Sequence, residues 1–218
     1  MILLSGIGIG IIEIVLYLFI SYLVKINVSH LNEINLFTYY WLTMTVLTGF
    51  WEYIYISNYK KIVSNTHLLI KNKQHTWTNK FTLDYVAPWK VSEIFYTEYA
   101  AYADREYMSI KNMWSHIIEG SHELCCGLFA LMALISKSHN NNNLFLISIS
   151  VSMGTQFMNS LLYIINYFIQ VKESDNPNYP TSDFPLGFAL KNRPFFWVNL
   201  CWLLFPLYVI LNLIVSNL

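Results

Sequence analysis

Residues 113–136 read MWSHIIEGSHELCCGLFALMALIS, and residues 36–56 read LFTYYWLTMTVLTGFWEYIYI. Each run has the length of a helix that crosses a bilayer. Each also holds a carboxylic acid inside it, Glu119 in one and Glu52 in the other. Hydrocarbon barely solvates an ionised carboxylate, so such a residue is neutralised, paired, or turned toward a protein-lined cavity. A carboxyl held in that way can give or take a proton.

Three further apolar runs, at 2–24, 144–170 and 195–215, raise the expected number of spans to five. The first carries Glu13 midway, without a basic start or a small-residue cleavage pattern, so it reads as a helix and not as a secretory signal. Only helices or closed barrels satisfy the backbone in lipid, and runs of this length predict a single all-α membrane domain over 1–218. Composition agrees: 55% of residues are apolar, 17% aromatic and only 12% charged. Thirteen basic residues balance thirteen acidic ones, which removes the electrostatic case for a nucleic-acid partner. Three cysteines supply neither a disulfide framework nor metal spacing, and they read as packing residues.

The polar segment 57–112 is too long for a simple connector and holds an apolar pattern near 86–107, with Pro88 as a helix start. It predicts interfacial helix. Asn140 to Asn143 reads as a solvated turn, and the proline-rich stretch 177–185 as an irregular loop. Lysine and arginine concentrate in the second and fourth loops, which predicts a cytoplasmic amino terminus and long loops.

Helical spacing decides which polar groups meet. His116, His122 and Glu123 all neighbour Glu119 on one broad face, and His116 and Glu123 also have a plainer reading as groups that satisfy the helix ends or an interface. No His-Glu-x-x-His run is present, so a resident metal is not expected. Thr48 and Glu52 share a face of the second span. Glu13 has no local partner, which leaves a histidine on another helix as one option. Asn199 and Trp202 share a face of the fifth span, one turn before Pro206. Gly6 and Gly10 form one small-xxx-small pair, a pattern of close helix packing or homodimerisation.

Taken in order, several motifs resemble the emopamil-binding protein (EXPERA) family, which includes the sterol Δ8-Δ7 isomerases. The likeness covers about 36–212 and is carried by EYAAYADREY from Glu98, which has one residue more than the family's motif and in which Asp104, Arg105 and Tyr107 carry the match. It continues through Glu119 with Gly127 eight residues on, QFMNSLLY from Gln156 to Tyr163, and NLCWLLFP from Asn199. Two positions depart from the isomerase pattern. Thr48 stands where the isomerases have a histidine four residues before the glutamate matched by Glu52, and His122 stands where they have a threonine.

The resemblance implies an integral multi-pass protein of the endoplasmic reticulum that moves a sterol double bond, without a redox cofactor or metal. The double bond is protonated on one face, and the carbocation then loses a proton from a neighbouring carbon. Glu52 and Glu119 would share the acid and base work, Trp202 would face the cation, and Asn199 and His122 would orient the carboxyls. Thr48, Tyr107, Gln156 and Tyr163 would line the substrate site. The alternative that the family allows is a non-catalytic protein binding a sterol or a cationic amphiphile.

Overall fold

The computed structural model describes residues 2–109, 113–170, 174–182, 184 and 194–216, apart from the side chains of residues 109, 113–120, 167, 169, 170, 194, 195 and 216. Helix dominates. A short strand β1 (Leu3–Ser5) leads into α1 (Gly6–Asn27), followed by α2 (Ser29–Asn32), α3 (Leu36–Ser57) and α4 (Tyr59–Asn72). Then come β2 (Lys80–Thr82), a 3-10 turn (Leu83–Val86), α5 (Pro88–Tyr102), α6 (Glu106–Ser109), α7 (Met113–Ser138), α8 (Asn142–Gln170) and α9 (Pro194–Ser216).

The boundaries have local causes. Ser5 Oγ accepts from Gly8 N at 3.2 Å at the start of α1, and Asn35 Oδ1 accepts from Phe37 N at 3.0 Å at the start of α3. Pro88 opens α5, where its missing N–H costs nothing. The turn expected over 140–143 forms but is shorter, since α8 already starts at Asn142: Asn140 takes a left-handed backbone with φ 57°, and Asn141 Oδ1 accepts from Leu144 N at 3.1 Å.

The expectation of an all-α chain needs one correction. β1 pairs antiparallel with β2, Leu3 opposite Thr82, so the first run is helical only from Gly6. The turn before β2 then serves the new helix end: Gly6 N donates to Asn79 O at 3.0 Å and Ile7 N to Trp77 O at 3.2 Å. Gly6 is needed there, because a Cβ would come 2.2 Å from the Thr76 carbonyl oxygen. Gly10 has open space around it, so within this chain the two glycines do not pack against one common helix.

Among the described residues, three helices are long and apolar enough to cross a membrane: Gly6–Asn27, Asn142–Asn166 and Phe196–Val215. α3 has the length, at 22 residues, but it turns Thr38, Thr43, Thr45, Thr48 and Glu52 inward. It packs chiefly on α7, α7 on α8 and α8 on α9, with α1 and α5 closing its other sides. One apolar cluster gathers Leu42, Ala130, Ile149, Met153 and Val209, and a second gathers Ile9, Leu47, Tyr55, Ile62 and Tyr96.

Cys126 is buried but its neighbour Cys125 is exposed, against the expectation that both pack inside. Adjacent residues of a helix lie about 100° apart, so both cannot face one core.

Candidate functional site

Helices α3 and α7 approach closely enough that two glycines define the contact. A Cβ on Gly49 would lie 2.8 Å from the carbonyl oxygen of Glu123 and 3.0 Å from Gly127 Cα, and one on Gly127 would lie 3.0 Å from the carbonyl oxygen of Thr45. This contact brings the Thr48 face of α3 against the Glu123 face of α7.

Glu123 is 3% exposed, and donors from three other helices converge on it. Its Oε1 meets Thr48 Oγ1 at 2.8 Å, Gln156 Nε2 at 3.0 Å and Trp202 Nε1 at 3.2 Å. Gln156 Nε2 also reaches its Oε2 at 3.2 Å. The amide of Gln156 is oriented from behind, because Trp41 Nε1, which can only donate, bonds Gln156 Oε1 at 2.9 Å. Thr48 has a single proton to give, and its Oγ1 also lies 3.0 Å from the Met44 carbonyl oxygen. With that proton on Glu123 the carboxylate is served as an anion. With it on Met44, Thr48 presents a lone pair and can accept from a protonated Glu123. The same geometry therefore suits the acid before and after proton transfer.

A cavity of about 240 Å³ opens beside this network. Glu52 and Glu123 line it, together with Thr48, His122, Tyr107, Tyr163, Asn199 and Trp202. Glu52 is 4% exposed and hydrogen-bonds to Tyr96 of α5. Burial, and then the Glu52 carboxyl, push the Tyr96 phenol well above its ordinary value, so it stays a neutral donor. Asn199 Nδ2 lies 3.4 Å from the hydroxyl of Tyr99, another lining residue. The rest of the wall is mainly apolar and aromatic, including Ile14, Met44, Trp51 and Phe95.

Of the residues expected at the site, Glu52, His122, Asn199, Trp202, Thr48, Tyr107 and Tyr163 share this cavity. Gln156 stands outside its wall, holding Glu123. The side chains of Glu119 and His116 lie outside the described residues. Glu123, which the sequence places beside Glu119 and reads as satisfying a helix end or an interface, is the buried acid at this crossing. It does not cap a helix end but sits mid-helix at the junction of α3, α7, α8 and α9. Its position four residues before Gly127 and seven before Ala130, on the small-residue side of α7, is the signal that marks its face.

The 98–107 motif builds the floor of the fold more than the cavity. Glu98 accepts from Thr76 N at 2.7 Å and meets His75 Nδ1 at 2.6 Å, which ties α5 to the turn under α1. Asp104 accepts from Asn178 Nδ2 at 2.7 Å, and the Arg105 guanidinium lies 4.2 Å over the Phe184 ring. Tyr99 and Tyr107 of the motif reach the cavity.

Among the described residues no three His, Cys, Asp or Glu side chains converge as metal ligands. Comparison with protein-family models, curated proteins and solved structures finds no match to this chain.

Proposed function

We propose that this protein is a membrane-embedded sterol isomerase that moves a Δ8 double bond to Δ7, with Glu52 and Glu123 as the proton-handling pair. The observation that carries this reading is two buried carboxyls on the wall of one largely apolar cavity. One of them is held by Thr48, Gln156 and Trp202 in a geometry that serves both of its protonation states. One carboxylic acid protonates the double bond, and a carboxylate removes a proton from the neighbouring carbon. The double bond shifts with no net oxidation, so the step needs no redox cofactor, and the two carboxyls supply the proton transfers. Trp202 offers its ring face to the intermediate cation, Asn199 and His122 orient the polar edge, and the apolar wall keeps out water that would trap the cation as an alcohol.

In this reading five helices cross the bilayer, α3 and α7 as the inner pair behind α1, α8 and α9. Helices α4 and α5 lie at the interface. The membrane is that of the endoplasmic reticulum, as the resemblance implies.

A second reading is a binding protein for sterols or cationic amphiphiles, without turnover. Thr48 favours it, since it stands where the isomerases carry a titratable histidine. The same two carboxyls would then pair with a ligand amine.

Sterol profiling in a cell lacking its own isomerase tests both readings. Expression of this chain is expected to convert accumulated Δ8-sterol to Δ7-sterol, and Glu123→Gln and Glu52→Gln are expected to abolish conversion. Binding of a labelled Δ8-sterol without conversion would establish the second reading, and absence of both would overturn the site.

A further inference from the structure

Two tryptophans, Trp51 and Trp202, line the cavity, and each is held through its indole N–H by a buried carboxyl. Trp202 Nε1 donates to Glu123 at 3.2 Å, and Trp51 Nε1 donates to Glu13 Oε1 at 3.1 Å. An indole has one donor, so both rings have spent theirs and present only carbon and π surface to a ligand. A carboxyl accepting from the N–H also leaves the ring richer in electrons, which strengthens its attraction for a cation.

Glu13 does not itself line the cavity, although its neighbour Ile14 does. It is 4% exposed on a helix whose other faces are largely apolar and uncovered, and its Oε2 is buried with no hydrogen-bond partner among the described residues. An acid is costly there, and the single indole bond offsets only part of that cost. Its direct polar contact is with the ring that walls the cavity. The neighbouring Tyr17 hydroxyl donates to the Thr43 carbonyl oxygen at 2.7 Å, which fixes α1 against α3 at this level.

We propose that Glu13 is a positioning residue that holds Trp51 as a second carboxyl-anchored aromatic wall, and that the paired indoles select a ligand with an apolar body and one positive charge. This rests on the cavity being the ligand site, as in the reading above. It extends the site to α1, outside the region of resemblance, and gives the first helix a part in specificity.

The test uses the full chain in lipid nanodiscs and two probes, an azasterol protonated at its ring nitrogen and the parent uncharged sterol. Glu13→Leu is expected to weaken azasterol binding about tenfold and sterol binding less than about twofold, the range of a partly desolvated cation–ring contact. Glu13→Gln retains an acceptor for the indole and is expected to stay within about threefold of wild type for both probes. On a Trp51→Phe background, Glu13→Leu is expected to cost nothing more. Equal losses for the two probes, or the same loss on the Trp51→Phe background, would overturn the proposal.

The indole N–H resonance of Trp51, identified by its absence in Trp51→Phe, provides a readout that needs no ligand. Glu13→Leu is expected to shift it, and an unmoved resonance overturns the proposal whatever the probes do. A wild-type protein that binds neither probe overturns the cavity reading and with it the selectivity assigned to the indoles, while a shifted resonance would still show that Glu13 holds Trp51.

Discussion

The inner helix α3 and the outer helix α1 are both 22 residues long, yet they obey opposite rules. α3 buries twelve residues, among them Tyr39, Leu42, Thr45, Thr48, Trp51 and Glu52, so its core mixes aromatic, apolar and polar groups. α1 buries only Gly6, Ile9, Glu13, Ser21 and Lys25, while Ile7, Ile11, Val15, Phe19 and Ile20 are exposed. A helix that turns its polar residues inward and its isoleucines outward is inside-out for water and right for lipid. The contrast shows where specificity is built. The outer surface need only be apolar, whereas the α3–α7 seam requires particular residues at particular positions, down to two glycines and one hydroxyl.

The largest expected effect comes from forcing that seam apart. Gly49→Ala places a Cβ within 2.8 Å of the Glu123 carbonyl oxygen, and it is expected to cost about 1–3 kcal/mol and to lower the melting temperature in detergent. Gly10→Ala on α1, with open space around it, is expected to be neutral or to stabilise by up to about 1 kcal/mol through helix propensity. Equal effects at the two glycines would erase the distinction between the inner and outer helices.

Comparable in size is Glu123→Ala, which leaves Thr48, Gln156 and Trp202 facing an empty space. It is expected to destabilise by about 1–3 kcal/mol and to abolish turnover, whereas Glu123→Gln should abolish turnover and keep most of the stability. Chemical unfolding alongside sterol conversion separates the two losses. Thr48→Val removes one hydroxyl at nearly constant volume, with an expected cost of about 1 kcal/mol and a lowered rate; Thr48→Ser should restore both. The smallest effect belongs to the outer surface: Leu211→Ala, at a side chain 52% exposed on α9, is expected to change the free energy of unfolding by no more than about 0.5 kcal/mol.

How much was legible in the sequence follows the same division. α1, α8 and α9 announce themselves because apolar residues cover nearly every face. The ends of α3 and α7 fall within two residues of the runs 36–56 and 113–136, since caps such as Asn35 and the turn at Asn140 are local. The inner helices' polar content could be read as a site but not as a network. Trp41 lies 115 residues from the Gln156 it orients, and Trp202 lies 79 from Glu123, distances over which no periodicity carries information. Glu123 could be read as a neighbour of Glu119 but not as the centre of a network: along its own helix it looks like one of several acids and histidines, and the crossing at Gly49 and Gly127 brings its partners to it. Glu13 had no local partner for the same reason, because Trp51 reaches it from another helix.

Turnover of a Δ8-sterol by the purified protein in nanodiscs made up in heavy water addresses the central claim most directly. If Glu52 and Glu123 exchange their protons with solvent and pass one to the double bond, the Δ7 product carries one added deuterium, and neither Glu52→Gln nor Glu123→Gln forms it. Unchanged substrate from the wild-type protein, or a product formed equally well by Glu123→Gln, would contradict it.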